Sequence, residues 1–198
     1  MTVAREPINR LHRGPAARRI RGVGIDQAAV EGLRAMILAD GVRQLAVGDL
    51  RADDLAGLAW SGNPAHLRSV ATARERAAQG LEDYLVVRAP VGEPVAKMRV
   101  DYASEDDTGV FSQLATMGQL QGLGIATVLI APGEQRVRAR GLAFAALGVV
   151  DDNPRARRLY ERLGYRASGR QQASWEYEDD AGVVRLHETT LTILRRRL

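Results

Sequence analysis

The 198-residue chain contains no cysteine. That excludes disulfides, thiolate metal sites and a cysteine nucleophile. Its three histidines, His12, His66 and His187, lie far apart without ligand spacing, so no metal is expected. No apolar run approaches the roughly twenty residues that a membrane span needs. The longest, residues 142–150, reads as a buried strand, and no membrane partner is expected. The N-terminus has arginines but no apolar stretch, so it does not read as a secretory signal. A soluble cytoplasmic protein is the expectation. Lysine is nearly missing too: Lys97 stands beside 27 arginines, which reads as coding bias rather than function.

The net charge of +4 is unevenly spread. Residues 1–24 carry +5, and Arg195, Arg196 and Arg197 add +3, which leaves −4 for residues 25–194. A nucleic-acid domain concentrates basic charge on its folded face. Basic ends on an acidic body read instead as solvated arms, so a nucleic-acid partner is not expected.

Two strand–turn–helix units are present. In the first, the apolar run 110–117 leads into Gln121, Gly122, Leu123, Gly124, Ile125 and Ala126. A turn that aims several backbone N–H groups at one point binds anions, and a following helix adds its positive end. Glycine lets a phosphate approach closely. A phosphate-binding loop of the Walker type would end in Gly-Lys-Ser/Thr, and Ile125 and Ala126 stand there instead. A Rossmann fingerprint needs a third spaced glycine, which is missing. In the second unit, residues 142–150 lead into Asn153, Pro154, Arg155 and Ala156, then Leu159, Tyr160, Gly164 and Tyr165. Residues 21–26 repeat the glycine pattern, but no strand precedes them, so they are not expected to bind phosphate.

Gln121, Gly124 and Ala126 resemble the coenzyme pyrophosphate loop of the GNAT superfamily of N-acetyltransferases. Asn153, Ala156, Leu159, Tyr160, Gly164 and Tyr165 are similar to that family's second motif, in the right order and at the right distance. The resemblance covers roughly residues 42–198 in element order and is motif-specific over 110–170. It implies a mixed α/β fold, with a largely antiparallel sheet of six or seven strands and helices on both faces. It implies a basic N-terminal extension with one helix over residues 1–41 and the transferase domain over 42–198. It implies an acetyl-CoA-dependent N-acetyltransferase. The acceptor would be a small primary amine or, as the alternative, a protein N-terminus. A non-catalytic acyl-CoA-binding module is the rival reading. A homodimer is compatible with the family.

The resemblance also distributes roles. The 121–126 loop would hold the pyrophosphate. Leu114, Ala115 and Thr116 would align the pantetheine arm where two strands splay; a fully paired strand is the alternative. Tyr160 would be the general acid, since a phenol with a pKa of about 10 is protonated at neutral pH; a core tyrosine is the alternative. Asn153 would cap its helix, contact the coenzyme, or both. The strand before the loop carries no acid, and Gln113 cannot accept a proton. A water chain, Asp151, Asp152 or a weakly basic acceptor would then serve. Acceptor choice would fall to residues 60–64 and to a final hairpin bearing Trp175, Glu176, Tyr177 and Glu178. Alternation places the two aromatics on one strand face and the two acids on the other.

Local signals set the remaining expectations. Asp26 caps a helix through about residue 39, with Ala29, Val30, Leu33, Met36 and Leu38 on its apolar face and Gly41 at its end. Strands are expected at 42–47, 84–87, 94–100, 109–117, 142–150, 165–177 and 183–194. A helix opened by the polar turn 49–55 is expected to run to about residue 60, a second, after the break at 61–64, to about 79, and a third from about 122 to 140. Pro132 and Gly133 predict a kink or a break in the last of these. Turns are expected at 105–107 and 179–182.

Overall fold

The computed structural model describes residues 26–178 and 183–198. The expected basic arm at 1–24, the glycine repeat at 21–26 up to Gly24, and the turn at 179–182 lie outside the described residues. Among the described residues, five α-helices and seven strands follow in the order α1 (Gln27–Asp40), β1 (Ala46–Asp49), α2 (Asp54–Gly57), α3 (Pro64–Ala78), β2 (Glu82–Arg88), β3 (Pro94–Glu105), β4 (Thr108–Thr116), α4 (Ile125–Ala139), β5 (Phe144–Val150), α5 (Pro154–Arg162), β6 (Arg166–Glu178) and β7 (Val184–Arg197).

The seven strands form one sheet in the order β1-β2-β3-β4-β5-β7-β6. Every neighbouring pair is antiparallel except β4 and β5. That exception follows from α4, which carries the chain back across the sheet, as a parallel connection requires. The sheet is therefore mixed and mostly antiparallel, as the sequence implied.

Period-two alternation divides the strands between two cores. Leu85, Val87, Met98, Val100 and Phe111 join Ile125, Leu129, Ile130 and Val137 of α4 in the larger core. Tyr84 and Val86 point the other way and meet Val70 and Ala73 of α3, with Leu50 and Leu58. Helix α4 lies tight on the sheet. A Cβ on Gly109 would fall 2.2 Å from Val137 Cγ2.

Several local expectations need correction, among them the helix expected to run to about residue 60, which is only Asp54–Gly57 followed by a 3-10 turn at Ala59–Ser61. Residues Gly41–Gln44 form a 3-10 turn, and the first strand begins only at Ala46. Leu45 donates back to Val42 O at 3.1 Å, and Leu45 is spent on the core rather than on a ladder. Helix α4 starts at Ile125 because Gly122 and Gly124 hold left-handed backbone. It then runs unbroken through Pro132 to Ala139. Proline removes one backbone hydrogen bond there, while buried Leu129, Ile130, Gly133 and Val137 keep the segment seated on the sheet.

Helix α1 packs on the larger core. Asp26 caps it by accepting from Ala28 N, and Gly41 closes it at φ 73°. Val30 and Ile37 enter the larger core, with Leu33 and Met36 beside them. Ala29 is exposed, and Leu38 is 65% exposed, so these two leave the expected apolar face and Ile37 joins it. Arg34 donates to Gln119 O at 2.7 Å and ties α1 to the segment just before the glycine turn.

Candidate active site

The parallel ladder between β4 and β5 is short. It pairs Thr108 with Phe144 through Phe111 with Leu147, and there it stops. Beyond it β4 runs on to Thr116 while β5 continues to Val150 against β7. The two strands part there, and Leu114, Ala115 and Thr116 lie on β4 beyond its last residue paired with β5, with Leu114 buried in the larger core.

A bulge marks the parting. Between β3 and β4 the register slips by one residue, from Arg99 opposite Ser112 to Lys97 opposite Ala115. Gln113 sits at the slip with φ 51°, a conformation rare outside glycine. Its side chain accepts from the Tyr84 hydroxyl at 2.9 Å. Burial pushes that phenol well above the ordinary tyrosine range, with Arg99 opposing in part.

The glycine turn follows directly. Met117 N bonds Val95 O at 2.9 Å and ends the strand, and Gly118–Leu120 make one 3-10 turn. Gln121 Nε2 then donates to Thr116 O at 3.3 Å. Gly122 and Gly124 take φ 87° and 83°, and Gly124 is the residue before α4. The first N–H groups of a helix lack internal partners, so this turn offers donors beside a positive helix end. A Cβ on Gly122 would fall 2.8 Å from a guanidinium nitrogen of Arg155. Arg155 thus lies against the turn, and a cation there suits an anion.

Helix α5 is set by Asn153, whose side chain accepts from Ala156 N at 3.0 Å. The expected cap is present. Tyr160 is 1% exposed, in the larger core, with its ring 6.0 Å from that of Tyr165 in an edge-on arrangement. Tyr165 donates to Glu134 of α4 at 3.0 Å, and Arg196 of β7 donates to the same carboxylate. Burial first, then Glu134, pushes the Tyr165 phenol up. Tyr165 is an anchor that holds the end of α5 against α4.

Asp151 does not stand ready as a base. It accepts from Thr192 Oγ1 at 2.7 Å and pairs with Arg170. The Thr192 hydrogen bond, with help from Arg170, holds its carboxyl below the usual range. A carboxylate stabilised in its charged form is a poorer proton acceptor.

On the α3 side, Trp60 Nε1 donates to Pro94 O at 2.9 Å and fixes the 60–63 turn at the start of β3. His66 of α3 and Lys97 of β3, both buried, meet under that turn. Trp175 of β6 is buried, with its ring 4.7 Å from that of His187. The structure thus brings the 121–126 loop, residues 114–116 and Asn153 to one end of the β4–β5 splay. Sequence reasoning missed Arg155, His66 and Lys97. Only Arg155 left a signal, as a basic residue in the first turn of a helix that faces a phosphate-type loop.

Residues 52–165 match the acetyltransferase (GNAT) family. No curated protein sequence matches the chain significantly. Solved structures share its fold at low identity. An N-acetyltransferase from Staphylococcus aureus aligns at TM-score 0.63 and 14% identity, over 77% of this chain and 98% of that one. The ribosomal-protein-S18-alanine N-acetyltransferase from Escherichia coli aligns at 0.58 and 18%, over 77% and 93%. The spermidine N-acetyltransferase from Vibrio cholerae, solved with CoA and spermine, aligns at 0.57 and 18%, over 78% and 95%. The sequence match spans more than half of the chain and contains both the splay and the glycine turn, so the chain belongs to the acetyltransferase (GNAT) family.

Proposed function

We propose that the chain transfers an acetyl group from acetyl-CoA to a small primary amine. The observation that carries this reading is the splay of β4 from β5 opening onto a turn with two left-handed glycines. The N–H groups of residues 122–126 would bind the pyrophosphate, with Arg155 beside them. Residues 114–116 would pair with the pantetheine amides as a strand would. Bound acetyl-CoA supplies the acyl group as a thioester. Tyr160 would give its proton to the departing sulfur, and Asn153 would hold α5 in place for it. Residues 42–198 would form the transferase unit, with α1 as an added brace.

The names of two structural neighbours point to two acceptor classes, a polyamine and an alanine of a ribosomal protein. A panel of small amines and peptide N-termini, with thiol release as the readout, separates them. Turnover is expected with one class, and a fall of at least about tenfold in Tyr160→Phe with coenzyme affinity retained. Tight coenzyme binding without turnover on the whole panel would favour a binding module. No coenzyme binding would sink the reading of the 121–126 loop.

A further inference from the structure

The α3 side of the sheet holds a pair of basic groups that the reading above does not use. His66 Nε2 meets Lys97 Nζ, with His66 6% exposed and Lys97 1%. The pair stands between the two features that frame an acceptor. Above it is the 60–63 turn: a Cβ on Gly62 would fall 2.6 Å from His66 Cδ2. Beside it is the open segment of β4, since Lys97 is the cross-strand partner of Ala115. Neighbouring strands lie about 4.8 Å apart, so the pair is one strand from the splay. Lys97 Nζ is also 5.9 Å from the ring centroid of Tyr84, whose hydroxyl holds the bulge residue Gln113.

We propose that the His66–Lys97 pair accepts the proton that the acceptor ammonium loses before it attacks. This rests on the acetyltransferase reading. Two basic nitrogens in contact repel when both are charged, so one proton is shared between them and a second is resisted. In its unprotonated form the pair takes a proton from the ammonium, and the freed electron pair on nitrogen forms the C–N bond. The C–S bond breaks, and sulfur takes the proton of Tyr160. The second proton released from nitrogen replaces it on the phenol. The proton on the pair leaves to solvent after turnover.

The strand acid that could compete is missing, because residues 110–114 carry none. Around the pair, Tyr84 projects from β2. Farther along the same face, Glu82 of β2 is tied to Arg99 of β3 and Arg76 of α3, and Asp101 is tied to Arg99. Those carboxylates are engaged in ion pairs, and Asp151 is held by Thr192 and Arg170.

The test compares pH profiles of kcat/KM for wild type, His66→Gln and Lys97→Met with the identified acceptor. Coenzyme affinity is measured separately. His66 ring nitrogens are titrated by NMR in the coenzyme-free wild type and Lys97→Met proteins. His66→Gln is expected to lose about 100-fold at neutral pH and to recover as pH rises toward the acceptor's own pKa. Coenzyme affinity is expected to change far less than turnover, because the pair stands on α3 and β3 and not in the 121–126 turn. In Lys97→Met the His66 midpoint moves up, since the neighbouring charge is gone. Lys97→Met carries the kinetic test if His66→Gln fails to fold. Variants that turn over with the wild-type pH profile, or a His66 midpoint unmoved by Lys97→Met, would overturn the pair while leaving the acetyltransferase reading intact. A wild type that acetylates nothing on the panel removes both.

Discussion

On the α4 face, β2, β3 and β4 present Leu85, Val87, Met98, Val100 and Phe111 to an apolar helix. On the α3 face, the same strands present Glu82, Tyr84, Arg88, Lys97, Arg99 and Asp101, most of them buried. The α4 face is held mainly by close packing, with one buried carboxylate, Glu134, tied to Tyr165 and Arg196. The α3 face joins a smaller apolar core to buried ion pairs, and breaking one of those pairs leaves a costly unpaired charge. Both faces therefore carry stability, one through packing and the other through paired charges over a smaller apolar core.

The largest expected effect lies on that polar face. Arg88 donates to both carboxylate oxygens of Asp54 and to Asp49 O, which pins the start of α2 to the end of β2. Arg88→Met strands the Asp54 carboxylate and should cost about 3–5 kcal/mol by denaturant unfolding. Adding Asp54→Leu should restore part of it, because a removed pair is cheaper than a broken one. If the single variant is neutral, the polar face is not held by paired charges. The α4 face should behave differently. Leu129→Ala, at a fully buried position, should cost about 3 kcal/mol, and no single partner change will restore it.

Close approach gives a finer contrast. Gly109→Ala would drive a methyl into Val137, a stiff β-branched side chain, at a cost of about 2 kcal/mol. Val137→Ala in the same chain should recover a share of that, which thermal melts of the three variants would show. The smallest effect is at the exposed rim. The folded state holds the Asp151 carboxyl below its ordinary value of 3.8. Its contribution is present above that value and is lost as pH falls through the lower folded value. Thr192→Val should therefore reduce the loss of stability on acidification. Parallel melting curves of the two proteins at neutral and acidic pH, with the same gap at both, would rule this out.

Local chemistry was legible in advance. Asp26 and Asn153 cap their helices as their residue types suggest, and Gly122 and Gly124 take left-handed backbone in the turn before α4. The turn between β3 and β4 falls where Asp106 and Asp107 stand, with Asp107 at φ 54°. The unbroken course of α4 through Pro132 was not legible. A lost hydrogen bond is visible in sequence, but the packing that offsets it is supplied by residues of other strands. The ties of Arg155 to Gly122, of Tyr165 and Arg196 to Glu134, and of His66 to Lys97 were hidden for the same reason.

The sequence by itself determined the element types, the two turn motifs and the family, because each depends on residues within a few positions of one another. The tertiary structure decided where the β4–β5 ladder stops, which face of the sheet is polar and which basic groups meet beneath the 60–63 turn. Those depend on strand order and on a one-residue register slip at Gln113, and long-range packing selects both.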